Sequence, residues 1–158
     1  MTGARVESQH FDLDAFDEWI AGAMEKYGHL LLRLSLGLVF AWFGGLKIAG
    51  ESPANTLVEK TVYWIRPELF IPILGVWEAA IGICLLYRPL IRVALFLMFL
   101  QMGGTFLPLM LLPEVCFIRI PFVPTMEGQY IIKNLVLISA GIVIGGTVRH
   151  PARHGRLE

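Results

Sequence analysis

Four long apolar runs divide this 158-residue chain, and most of its charged residues lie between them. The runs cover residues 30–48, 69–87, 90–112 and 130–148. A helix needs about 20 apolar residues to cross the roughly 30 Å of hydrocarbon in a bilayer. Strands with open edges would leave backbone groups unpaired in lipid. The pattern therefore predicts an all-α fold, a bundle of four transmembrane helices formed by residues 29–148.

The N-terminal segment, residues 1–28, contains an amphipathic pattern that predicts a helix over 11–27. Its apolar side chains recur at helical spacing, at Phe16, Trp19, Ile20, Ala23, Met24 and Tyr27. Helices that lie on a membrane surface usually carry Lys and Arg, whereas most charged residues here are acidic. We expect this helix to pack its Phe16–Trp19–Met24 side on this protein or on a partner, with the lipid surface as the alternative.

The loop between the first two runs contains a second helical signal. Ser52 followed by Pro53 is typical of an N-cap and the first helical residue. A short helix carrying Leu57, Val58, Trp64 and Ile65 is therefore predicted to lie over the mouth of the bundle.

The distribution of Lys and Arg predicts the orientation in the membrane, because these residues concentrate on the cytoplasmic side. Eight lie at the end of the bundle that carries both termini: Arg5, Lys26, Arg33, Arg88, Arg92, Arg149, Arg153 and Arg156. Five lie at the other end: Lys47, Lys60, Arg66, Arg119 and Lys133. Both termini, including a basic tail at 149–158, are thus predicted to be cytoplasmic.

Composition excludes several classes of function. The chain is 56% hydrophobic and only 16% charged, with no net charge, whereas a soluble domain is about a quarter charged. No basic excess indicates nucleic-acid binding. The two cysteines lack metal-ligand spacing, and no dinucleotide, haem or iron–sulfur signature is present. No metal or cofactor is therefore predicted, although Trp42, Phe43 and Trp77 could stack on a quinone ring if they do not simply contact lipid.

Glu78 is the polar residue that fits its surroundings least. It lies about nine residues, or roughly 13 Å, from the outer end of the second run. A charge near the bilayer centre costs at least about 2.5–3.5 kcal/mol and tends to mark a site or a pairing. Glu78 must find a cation, a hydrogen-bond partner, water or a proton.

Three polar residues on other runs are candidates to meet Glu78. Lys47 ends the first run, Lys133 lies one turn into the fourth, and Gln101 lies in the middle of the third. If each helix turns its polar stripe inward, we expect Lys47, Glu78, Gln101 and Lys133 to form a ligand-binding site. The alternatives remain that both lysines extend to the outer interface and that Glu78 forms a purely structural pair.

Three stretches resemble the DoxX-like superfamily of bacterial four-helix membrane proteins, closest to the branch that contains the reactive-chlorine-resistance protein RclC. They are RLSL with GGLK over 33–47, GVWEAAIG over 75–82 and GQYIIKNLVL over 128–137. The resemblance covers about 28–148, but Asn134 stands where that branch tends to have aspartate. It implies an inner-membrane location and a role in membrane redox or oxidant-stress physiology.

Two functions from different classes follow. The first is a polar intramembrane site, open to the periplasm, for a small anionic or quinone-like ligand. The second is a non-catalytic accessory subunit of a larger membrane complex, in which Glu78 only ties helices together. A small transporter ranks third, because the sequence shows neither broken spans nor internal repeats. The resemblance suggests another membrane or redox protein as partner.

Overall fold

The computed structural model describes residues 13–148 and is mostly helical over that range. Four helical segments are long and apolar enough to cross a membrane. They are Ala15–Ile48, Pro67–Leu86, Arg88–Leu111 and Met126–Thr147, here named spans 1 to 4. The prediction of four such helices is confirmed. The predicted basic tail and the first twelve residues lie outside the described range.

Eight helices and one small hairpin make up the described chain. The helices are α1 (Leu13–Ile48), α2 (Asn55–Thr61), α3 (Pro67–Leu86), α4 (Ile91–Thr105), α5 (Leu107–Leu111), α6 (Pro113–Cys116), α7 (Met126–Ile132) and α8 (Asn134–Thr147). The hairpin pairs β1 (Phe117–Arg119) with β2 (Val123–Pro124) in antiparallel fashion. A short 3₁₀ turn over Arg88–Leu90 joins α3 to α4.

The predicted N-terminal helix is not a separate element, because it forms the first turns of the continuous helix α1. No proline interrupts residues 13–48, and a single glycine such as Gly28 costs a helix only about 1 kcal/mol. Phe16, Trp19 and Met24 are all exposed, Trp19 by 70%. This side therefore does not pack on the described part of the chain, and its packing on a partner or on the lipid surface stays a prediction.

Helices α1 and α3 approach closely because glycines line their contact. A Cβ at Gly82 would overlap the backbone nitrogen of Ala41 and lie 2.6 Å from the carbonyl oxygen of Gly37. A Cβ at Gly44 would lie 2.6 Å from the carbonyl oxygen of Gly75. Small residues permit this kind of backbone approach between membrane helices. Gly45 lies eight residues after Gly37, but it has open space around it and takes no part in the contact.

The other main helix contacts are α3 with α4, and α8 with both α1 and α4. Gly141 of α8 packs directly against the Met98 side chain. Met98 is completely buried, as expected of a core residue rather than a metal ligand. The bundle core also contains Leu36, Phe40, Ile81, Leu85, Ala94, Leu95 and Ile144.

Spans 3 and 4 are each interrupted by one residue, which corrects the expectation of unbroken helices. Span 3 breaks at Phe106, between α4 and α5. Pro108 follows two residues later; it lacks an N–H, and its ring clashes with the carbonyl one turn earlier. Span 4 breaks at Lys133, where the Val136 N–H donates to the Lys133 carbonyl in a tighter turn.

The loop elements differ in detail from their predictions. Helix α2 is present but ends at Thr61, so Trp64 and Ile65 lie outside it, contrary to the prediction. Its N-cap is Ala54, and the Ser52 hydroxyl accepts a 3.3 Å hydrogen bond from the Ala54 N–H. Cys116 ends α6 and is fully buried. Its burial, followed by the carboxylates of Glu127 and Glu114, raises the pKa of its thiol. Cys116 therefore stays a protonated thiol near neutral pH.

Candidate functional site

The close contact of α1 and α3 brings Lys47 to Glu78. Lys47 follows Gly44 by three residues, and Glu78 follows Gly75 by three, so both side chains extend from the glycine-lined contact. Lys47 Nζ donates to Glu78 Oε2 at 2.5 Å. The two residues are only 7% and 8% exposed. The prediction that Glu78 has a lysine neighbour inside the bundle is confirmed.

Gln101 completes the pairing of the Glu78 carboxylate. Its Nε2 donates to Glu78 Oε1 at 2.6 Å, so each carboxylate oxygen has one donor. One turn further along α4, the Thr105 hydroxyl donates to the Gln101 carbonyl at 3.1 Å. Lys47, Glu78 and Gln101, here named the polar cluster, therefore connect spans 1, 2 and 3.

Lys133 does not join the polar cluster, contrary to the expected four-residue site. Its Nζ lies 5.2 Å from the centroid of the Tyr130 ring, in a cation–π contact. The residue is exposed and lines neither of the cavities described below. Its long side chain lets the ammonium group extend away from the bundle interior. This agrees with the alternative that a lysine here extends to the interface.

Two cavities meet at the polar cluster. The smaller has a volume of about 270 Å³ and lies among α1, α4 and the α7–α8 junction. The larger, about 460 Å³, lies among α2, α3 and the α4–α5 junction. All three residues of the polar cluster line both cavities, as do Leu57 of α2 and Ala54, the N-cap of that helix. Small-molecule sites typically measure about 300–1,000 Å³, so the larger cavity is of suitable size.

The lining of these cavities is apolar apart from the polar cluster, the Glu127 carboxylate in the smaller cavity, and a few hydroxyl and amide groups. The Lys47 charge is offset by Glu78, which leaves no net charge at this point. An ammonium has three N–H donors, and the Lys47–Glu78 bond uses one of them. The arrangement can therefore donate a hydrogen bond to a largely apolar molecule, whereas a small free anion would find little uncompensated positive charge.

The three aromatic residues considered for quinone stacking lie in different places. Trp77 lines the larger cavity and donates from Nε1 to the Leu97 carbonyl at 3.3 Å. Phe43 lines the smaller cavity. Trp42 is exposed and lines neither, which fits contact with lipid.

Several cavity residues could not have been selected from the sequence. Ala54 and Leu57 line both cavities although they are ordinary apolar residues of a loop helix. Asn134 also lines the smaller cavity; the sequence showed it as a polar side chain within an apolar run and as a departure from the resembled branch, but not as a cavity residue. Between residues 13 and 148, no three His, Cys, Asp or Glu side chains are grouped so that they could hold a metal ion.

Comparison of this chain with models of known protein families, with curated proteins and with solved structures finds no match. The resemblance to the DoxX-like superfamily therefore stays a prediction carried by the three stretches of sequence that suggested it.

Proposed function

We propose that this protein is a multi-pass inner-membrane protein whose polar cluster binds a lipid-soluble, quinone-like ligand. Its role would be in membrane redox or oxidant-stress physiology, in association with another membrane protein. The four apolar helices support the membrane location. The physiological role is supported by the sequence resemblance alone.

The observation that carries this proposal is the position of the polar cluster between two apolar cavities. A buried ion pair stabilises a fold only weakly, since desolvation offsets much of its attraction. Hydrophobic side chains of similar volume would connect three helices at lower cost. A cluster of this kind that also borders open volume is better explained by a ligand than by stability.

The apolar lining favours the quinone-like ligand over the small anion. In this proposal the apolar body of the ligand occupies one cavity, and a ligand oxygen accepts a hydrogen bond from Lys47 Nζ. Glu78 and Gln101 hold the ammonium in place, because each bonds to the next. Lys133 lies outside this arrangement.

The proposal predicts a compound that co-purifies with the protein at about one molecule per chain. The test is purification from its native membrane, followed by mass spectrometry of the bound lipids, quinones and proteins. Replacing Ala54 with tryptophan fills volume shared by both cavities without changing the polar cluster, so this variant is expected to lose the compound. Thr56→Trp is the matched control, because Thr56 lies on the same helix but is exposed and lines neither cavity.

Two results would contradict the ligand site. One is the absence of any stoichiometric compound from the unmodified protein. The other is equal retention of the compound by Ala54→Trp and the unmodified protein.

The alternative is a non-catalytic accessory subunit in which the polar cluster only connects helices. The complete pairing of the Glu78 carboxylate favours this reading. It predicts that a partner protein, rather than a small molecule, co-purifies with this chain. The Ala54→Trp and Thr56→Trp variants are then expected to retain that partner equally. A transporter remains third: spans 3 and 4 are interrupted beside the cavities, as in many transporters, but the sequence shows no internal repeat.

The proposed orientation places both termini in the cytoplasm, following the uneven distribution of Lys and Arg. A reporter active only in the cytoplasm is expected to give a signal when fused after His150. A reporter active only in the periplasm is expected to give a signal when inserted within residues 53–66. A periplasmic signal from the C-terminal fusion would reverse the orientation.

A further inference from the structure

A buried arginine lies at the end of the bundle opposite the polar cluster. Arg33 in α1 is only 9% exposed. It precedes Lys47 by 14 residues, or about 21 Å along the helix. Gly37, one turn from Arg33, packs against Leu86 at the end of α3. Arg33 therefore lies level with the turn that joins spans 2 and 3. Because a turn between two membrane-spanning helices lies at a membrane surface, we infer that Arg33 is near the lipid headgroups.

The guanidinium of Arg33 has no partner in the described chain. Its Nη1 atom is sealed from solvent and has no hydrogen-bond acceptor within reach. No carboxylate between residues 13 and 148 lies within ion-pair distance of it. This contrasts with Lys47, the other strongly buried cation, which has Glu78.

A buried guanidinium requires an anionic partner more strongly than the other buried cationic side chains do. Arginine cannot shed its charge by releasing a proton, and an unpaired buried charge is strongly unfavourable. Its planar fork of donors matches the oxygens of a phosphate group. At the depth of Arg33, phosphate is supplied by the headgroups of the bilayer.

We propose that Arg33 binds the phosphate group of an anionic phospholipid in the leaflet at this end of the bundle. Arg88 and Arg92 lie near the same end and are exposed, so they add a general attraction for anionic lipid. Arg33 differs from them because it is buried and can hold one headgroup in a fixed position. The polar cluster takes no part, so this site is independent of the proposed function.

The test measures lipid retention by the full-length protein. The protein is purified in detergent, titrated with phosphatidylglycerol or phosphatidylcholine, and examined by native mass spectrometry. The unmodified protein is expected to retain one phosphatidylglycerol in preference to phosphatidylcholine. Because hydrogen bonds to charged groups are among the stronger ones, Arg33→Gln is expected to weaken this retention at least about tenfold. Arg92→Gln is the matched control, and its retention is expected to stay within about twofold of the unmodified protein, as for an exposed pair.

Further measurements distinguish a lipid site from a folding defect of the variant and from a site for free phosphate. If Arg33→Gln does not fold, Arg33→Lys keeps the charge without the fork and is expected to weaken retention about threefold or more. The proposal is overturned by equal retention in the Arg33 and Arg92 variants, or by equal retention of the two lipids. Displacement of phosphatidylglycerol by an equal concentration of inorganic phosphate would also overturn it.

Discussion

Replacing Gly82 with leucine is expected to separate α1 from α3 and to lower the free energy of unfolding by about 3 kcal/mol or more. Even the first added carbon would overlap the backbone nitrogen of Ala41. A flexible side chain could turn away from such an overlap, but a helix backbone can only be displaced as a whole. That displacement would also separate Lys47 from Glu78, because the same contact positions both residues.

The stability of Gly82→Leu can be measured by SDS titration of the purified protein in mixed micelles. Gly45→Leu is the matched control, because Gly45 lies on α1, the other helix of this contact, with nothing within 4 Å of an added Cβ. We expect this control to stay within about 0.5 kcal/mol of the unmodified protein, as surface changes usually do. Equal stability of the Gly82 and Gly45 variants would show that α1 and α3 do not pack through their glycines.

Depth and helical spacing were sufficient to predict that Glu78 contacts a lysine inside the bundle, but not whether that lysine is Lys47 or Lys133. Lys47 lies at the end of span 1 and Glu78 near the middle of span 2, close enough for the long lysine side chain to reach, and each shares a face with glycines that permit close approach. Gln101 was predicted on the same grounds and is in place. These predictions succeeded because the position of a residue along a transmembrane helix fixes its height in the bundle.

The placement of Lys133 could not be predicted, because height alone does not determine which neighbour a helix faces. Lys133 lies at a break in span 4, and its side chain turns to Tyr130. The break in span 3 did have a visible signal in Pro108, whose effect on the preceding turn follows from its ring. The break at Lys133 had no comparable signal.

The N-terminal segment shows a different limit of sequence patterns. Spacing of Phe16, Trp19 and Met24 indicated a helix, and α1 is helical there. The same spacing could not indicate where the helix ends, since no proline separates the amphipathic segment from the apolar run that follows it. The apolar side chains are exposed in the isolated chain, so periodicity established the helix but not what covers it.

Removing one partner of the Lys47–Glu78 pair is also expected to lower the free energy of unfolding strongly. Glu78→Gln leaves the Lys47 ammonium buried without a counter-charge, and breaking a buried pair in this way costs about 3–5 kcal/mol. Lys47→Met leaves the Glu78 carboxylate buried with Gln101 as its one remaining donor. The double variant removes both charges and is expected to lose less stability than the sum of the two single changes.

The coupling free energy between Lys47 and Glu78 is the most direct test of the polar cluster. It is obtained from the unfolding free energies of Lys47→Met, Glu78→Gln and the double variant, measured by SDS titration in mixed micelles. We expect a coupling of about 2–3 kcal/mol, at the upper end for residues in contact. The parallel cycle of Lys133→Met with Glu78→Gln is expected to be additive within about 0.5 kcal/mol. Additive effects of Lys47 and Glu78, or a stronger coupling of Glu78 to Lys133, would contradict the polar cluster described here.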